Sequence, residues 1–191
     1  MKMRASNQTT GTGSTFQPCP AGTQTLVCCD VIDHGIIQVR AFSGDGTKPQ
    51  HKVTIRWMSE HLMLDGRRYI VQKRYTLSSH KKSTLRRELE AWRGRPWSDK
   101  EADDFDIDTL IGVCALASVV HIPKPGRGTF AEVVALMPMA RGMPKITIDP
   151  SYTRVPTRAD GAPPTAADAE QPSEYDDSEP SEPPPDDKAP F

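Results

Sequence analysis

Three observations predict a mainly β fold with helices confined to one insertion. Apolar and polar residues alternate through His51–Met58 and again through Tyr69–Leu77, the period of strands with one buried face. The clearest helical stripe, Leu85, Leu89 and Trp92 at i, i+4 and i+7, lies between these segments and two later β-rich runs. Both ends of the 191-residue chain are poor in the large apolar residues that a core requires.

Taken in order, residues 1–17 read as a disordered leader, polar and rich in Gly, Ser and Thr, with no apolar signal core. Thr25–Ile37 is β-rich, and Asp33-His34-Gly35 interrupts it as a turn or bulge. Ser43-Gly44-Asp45-Gly46 marks a loop. In the second strand Val53, Ile55 and Trp57 share the inward parity, while Lys52, Thr54 and Arg56 share the other. Asp65-Gly66 is a turn signal. In the third strand Tyr69, Val71, Tyr75 and Leu77 oppose Arg68, Gln72 and Arg74, and Ile70 and Lys73 break the alternation.

Ser83 or Thr84 can cap the helix that follows, and Gly94 stops it. Ser98-Asp99-Lys100-Glu101 has the spacing of a capping box and predicts a second short helix. One further turn around Asp108–Ile111 ends at Gly112. Val113–Ile122 and Thr129–Met137 then read as strands joined by the loop 123–128. Three strands, a helical insertion between strands 3 and 4, and two more strands is the order of an OB-fold, a five-stranded Greek-key barrel. The expected organisation is a leader over 1–17, an OB-fold domain over 18–150 and a disordered acidic, Pro-rich tail over 151–191.

The charge is sharply divided. From Ala159 to Phe191 there are ten Asp/Glu and one Lys, a net of −9, whereas residues 1–158 carry 23 Lys/Arg against 15 Asp/Glu, a net of +8. A basic body on an acidic tail points to a polyanionic partner, with the tail as a separate device. OB-folds run nucleic acid over the outer face of strands 2 and 3. There the polar parity gathers Lys52, Arg56, Arg68 and Arg74, cations suited to phosphates. Lys81, Lys82, Arg86, Arg87, Arg93 and Arg95 form a second basic run, which either extends that path or balances Glu88 and Glu90 by local pairing. Tyr69 and Tyr75, flanked by Arg68 and Arg74, are the candidate platforms for base stacking; Trp57 and Trp92 belong to the core.

Other classes of function find little footing. No G-x-S-x-G, H-E-x-x-H or phosphate-binding loop occurs, and only Asp33-His34 sets a histidine beside a carboxylate. Cys19, Cys28, Cys29 and Cys114 form no C-x-x-C pair, and Cys28-Cys29 reads as strand packing. No apolar run approaches the ~18 residues of a membrane span. The reading is of a non-enzyme without metal or cofactor, in a reducing cytoplasm, for which a homo-oligomer is compatible with the sequence.

The tail ends in Asp186-Asp187-Lys188-Ala189-Pro190-Phe191, where an aromatic ring adjoins the terminal carboxylate. Such a tip suits a basic residue bordering an apolar pocket. It resembles the acidic tip of bacterial single-stranded DNA-binding proteins, commonly Asp-Asp-Asp-Ile-Pro-Phe. Asp186, Asp187, Pro190 and Phe191 match that pattern position by position, while Lys188 and Ala189 depart from it. The resemblance implies docking on replication and repair proteins. Over about residues 20–140 the body resembles phage- or prophage-encoded single-stranded DNA-binding proteins, in Tyr75–His80, Leu85–Gly94, Phe105-Asp106 and Val119-Val120-His121. That resemblance implies OB-type binding without assigning contacts. The expected function is to coat and protect single-stranded DNA during phage replication or recombination and to recruit partners through the tip. The alternative is a phage adaptor or decoy that captures host replication proteins and binds no DNA.

Overall fold

A computed structural model of the chain describes residues 17–40, 46–125 and 128–155. Its elements are β1 (Gly22–Arg40), β2 (Thr47–Leu62), β3 (Arg68–Thr76), α1 (Thr84–Arg93), α2 (Asp99–Asp103), a 3-10 turn (Ile107–Leu110), β4 (Cys114–Lys124) and β5 (Gly128–Met137). The protein is thus mainly β. Every strand pairing is antiparallel, and the five strands lie in the order β3-β2-β1-β4-β5. The two edge strands also touch, since Lys73 Nζ on β3 donates to Val133 O on β5 at 3.2 Å. This contact brings the two edges of the sheet together.

Strand β1 runs for 19 residues because it bends rather than breaks. One irregularity lies between Cys28 and Asp30, and a second between Asp33 and Ile36, where Gly35 takes φ +66°. The expected interruption at Asp33-His34-Gly35 is therefore a bulge within one strand, not a turn between two. Extra residues at bulges increase local twist, which lets a long strand serve two neighbours.

The inward parity fills one core. Val53, Ile55 and Trp57 of β2 meet Tyr69, Val71 and Tyr75 of β3, with Leu85, Leu89 and Trp92 of α1 packed against them. The Trp57 and Trp92 rings lie 6.3 Å apart, and Trp92 Nε1 donates to Cys114 O at 3.0 Å. Helix α1 stops at Gly94, which adopts φ +77° and donates its N–H to the last turn. Ser98 and Glu101 form the expected reciprocal capping box at α2.

Lys73, which breaks the alternation of β3, faces inward at the sheet edge and pairs with Glu88 of α1 at 2.6 Å. Tyr75 OH donates to the other oxygen of the same carboxylate, also at 2.6 Å. A long-range partner on the helix explains a cation on the apolar parity. The vicinal cysteines separate: Cys28 lies in the main core, whereas Cys29 joins Val27 and Met58 in a second cluster on the opposite sheet face. That cluster is covered by Ile146, Ile148 and Tyr152 from the segment after β5. Among the described residues no helix is long and apolar enough to cross a membrane.

Candidate nucleic-acid interface

Register, rather than proximity in sequence, assembles the outer face of β2 and β3. Lys52 lies opposite Thr76, Thr54 opposite Arg74, Arg56 opposite Gln72, Met58 opposite Ile70 and Leu62 opposite Arg68. Lys52, Arg56, Arg68 and Arg74 are all half-buried there. Neutral acceptors orient several of them. Lys52 Nζ donates to Thr76 Oγ1 at 2.7 Å and Arg56 Nε to Gln72 Oε1 at 2.8 Å. Arg68 Nη1 donates to the carbonyls of Ser59 and Glu60, each at 3.1 Å. At Arg56 and Arg68, bonds to neutral groups fix the cation's direction while leaving its charge to act on an anion.

The tyrosines are placed elsewhere. Tyr69 is 5% exposed and Tyr75 2%, and both rings belong to the main core. This corrects the expectation that they offer stacking platforms: their inward parity commits the rings to packing, and the Tyr75 hydroxyl is held by Glu88. Arg86 is corrected too. Read as part of the basic run that could extend the DNA path, it is 4% exposed. It donates to Glu90, Asp99, Ser79 O and Trp97 O at 2.7–3.0 Å. A guanidinium with its donors so used joins α1 to the loops around it and is not available for a phosphate.

The rest of the second basic run is largely paired within the helical region. Lys81 pairs with Asp99 at 3.1 Å, and Arg93 and Arg95 converge on Glu101 at 3.6 and 2.8 Å. Arg95 beside Glu101 holds that carboxyl down to about 2, and Lys81 and Arg86 hold Asp99 below its usual range. Of the expected balance with Glu88 and Glu90 only Arg86–Glu90 forms; Glu88 is taken by Lys73, and the other partners are Asp99 and Glu101. Lys82 and Arg87 are exposed at the helix start. Asp186, Asp187, Pro190 and Phe191 lie outside the described residues.

One part of the face has no counterpart in the sequence reading. Residues 146–155 form a strap over the outer side of β1 and β2, including residues 151–155 that the sequence assigns to the tail. Asp30, fully buried and opposite Arg56 in the register, anchors it. The Asp30 carboxylate accepts from Val31 N at 3.1 Å, Arg154 Nε at 3.0 Å, Tyr152 OH at 3.2 Å and Val155 N at 2.7 Å. Cys114 Sγ adds a bond to Ile146 O at 3.2 Å, and Asp149 N reaches Met58 Sδ at 3.4 Å. The strap explains why Met58 is buried despite its outer parity, while His34 Nε2 lies 2.9 Å from the Oγ1 of the equally buried Thr54. The spacing of Ile146 and Ile148, and a carboxylate at Asp30 inside an apolar run, are the signals that could have pointed to it.

Burial pushes the Cys28 thiol up to about 12 and the Cys29 thiol up to about 11, so both are poor nucleophiles. A histidine–carboxylate contact does exist, but across strands: His51 Nε2 lies 2.6 Å from Asp33 Oδ1, while His34 Nε2 contacts Thr54 Oγ1 at 2.9 Å. Among the described residues no group of three or more His, Cys, Asp or Glu could hold a metal ion. Scanned against protein-family models the chain matches none, and a search of curated proteins likewise finds no match.

Proposed function

We propose that the chain binds single-stranded DNA along the outer face of β2 and β3, as an OB-fold Greek-key barrel with a helical insertion between its third and fourth strands. In this reading it coats and protects the strand during phage replication or recombination, and its tail recruits replication or repair proteins through Asp186, Asp187, Pro190 and Phe191. The observation that carries the reading is the row of Lys52, Arg56, Arg68 and Arg74 brought onto one face by strand register. The strand order and the contact between β3 and β5 support the barrel assignment. A row of cations suits a polyanionic strand, because each cation that neutralises a phosphate releases counterions held by the strand.

The test is titration of a labelled oligo-dT and of a duplex of the same length, followed by anisotropy. The single strand is expected to bind more tightly, with a logarithmic salt slope of about −3 for four neutralised phosphates. Equal or tighter duplex binding, or a flat salt response, rejects the reading. The burial of Tyr69 and Tyr75 favours one alternative, an adaptor or decoy that captures host replication proteins through the tail and binds no DNA. That alternative requires partner capture without any affinity for oligo-dT.

A further inference from the structure

With Tyr69 and Tyr75 in the core, the cationic face has no ring from its own strands on which a base could stack. Trp57, Trp92 and Trp97 are buried as well. Among the described residues, three Phe, Tyr or Trp side chains keep part of their surface: Phe105, Phe130 and Tyr152. Phe105 packs against Trp97 at 4.5 Å between centroids, beside the helices, and Phe130 lies under Lys124 on the β4–β5 hairpin. Tyr152 is different. Its hydroxyl donates to Asp30 Oδ2, and Asp30 lies opposite Arg56 in the strand register, so the ring sits at the edge of the cationic row.

Tyr152 is also held in place. Asp30 receives the hydroxyl, the neighbouring Arg154 and the Val155 N–H together, while the ring packs against the Val27, Cys29 and Met58 cluster. A ring fixed at both its polar end and one apolar side loses little freedom when a second flat group stacks on it. Such a ring beside a phosphate-binding cation is the pairing that single-strand grooves use.

We propose that Tyr152, fixed on the strap by Asp30, is the base-stacking platform of the β2–β3 face. The strap is then part of the binding site and not a cover over it. This inference rests on the single-stranded DNA reading above, and the experiment separates the two.

Full-length wild type, Tyr152→Phe and Tyr152→Leu are titrated with oligo-dT and with an abasic deoxyribose-phosphate strand of equal length. Phe and Leu both lack the hydroxyl and both cover the apolar cluster, so their difference reports the ring alone. Tyr152→Leu is expected to bind oligo-dT roughly 5- to 100-fold more weakly than Tyr152→Phe. Its salt slope should be unchanged, and the two variants should bind the abasic strand equally. Equal affinity of the two variants for oligo-dT, equal losses on both strands, or tighter binding by Tyr152→Leu would each overturn the assignment; the last would make the strap a lid. As a measurement that needs no variant, wild type is photocrosslinked to an oligonucleotide carrying 5-iodouracil. A crosslink at Tyr152 is expected, and crosslinks confined to other residues overturn the assignment. Wild type that fails to bind oligo-dT removes the DNA reading itself, whereas wild-type binding with Phe and Leu equivalent removes the platform alone.

Discussion

Replacing Asp30 with Asn tests whether the strap is held by one buried carboxylate. The substitution keeps the size of the side chain but puts an NH2 group where an oxygen now accepts from Tyr152 OH and Val155 N or from Arg154 Nε. It also removes the charge opposite Arg154. Breaking one side of a buried ion pair costs about 3–5 kcal/mol. Two features place Asp30→Asn near the lower end, at about 3 kcal/mol. Arg154 is 51% exposed on its side chain and regains water easily. The strap can also peel away, which limits the loss to what its own contacts contribute.

Urea unfolding followed by the fluorescence of the buried tryptophans measures the total, and thiol labelling locates it. Cys29 lies under the strap, whereas Cys28 is in the main core. In Asp30→Asn, Cys29 should become reactive well before global unfolding, while Cys28 stays protected. A loss below about 1 kcal/mol, the net value of an ordinary hydrogen bond, together with equal protection of the two thiols, would refute the latch.

Further outcomes are expected at the cations, the helical region and the tail. Arg56→Ala combined with Arg74→Ala should weaken oligo-dT binding and make the salt slope shallower by about 1.4, at roughly 0.7 for each phosphate no longer neutralised, with little change in thermal midpoint; wild-type affinity would show that the face is misassigned. Arg95 holds the Glu101 carboxyl down to about 2, and a carboxylate depressed on folding stabilises fully above its unfolded pKa and loses that contribution as pH falls through the folded one. The thermal midpoint should therefore fall from about pH 4.3 towards pH 2 less steeply in Glu101→Gln than in wild type, and identical profiles would count against the pair. Deleting Pro190-Phe191 should abolish capture of replication proteins from a bacterial lysate without weakening DNA binding. Deleting residues 159–191 should raise DNA affinity, most at low salt, because −9 and +8 are joined on one chain; reduced affinity would overturn that division of labour.

The parity of β2 was legible because alternation is a local property. Val53, Ile55 and Trp57 are buried on the face their period assigns to them. Gly94, the capping box at Ser98 and Glu101, and the bulge at Asp33-His34-Gly35 are local too, each set by backbone geometry within a few residues. What alternation cannot report is the neighbour that arrives from a distance. Lys73 faces inward because Glu88, 15 residues later, is there to meet it. Arg86 lies off the apolar stripe of its helix, yet it is buried by the loops bearing Ser79 and Trp97. A helical projection assigns a residue to a side, and the rest of the chain decides whether that side meets water.

The same limit acted on the face itself. Period-2 reasoning put Tyr69 and Tyr75 on the inward parity, and that placement is incompatible with offering their rings to a base; the pattern and the proposed role pointed in opposite directions, and packing decided between them. The strap was hidden for a related reason. Its composition does not stand out beside a Pro-rich acidic tail, and its apolar residues Ile146, Ile148 and Tyr152 are too few to form a core of their own. They become significant only because β1 and β2 leave Val27, Cys29 and Met58 uncovered, and because Asp30 is buried where only donors from outside its own strand can satisfy most of its oxygens. A buried carboxylate must be paired or hydrogen-bonded. Asp30, set in the apolar run from Leu26 to Ile32, was therefore, like Lys73, a residue whose placement required a partner from elsewhere in the chain.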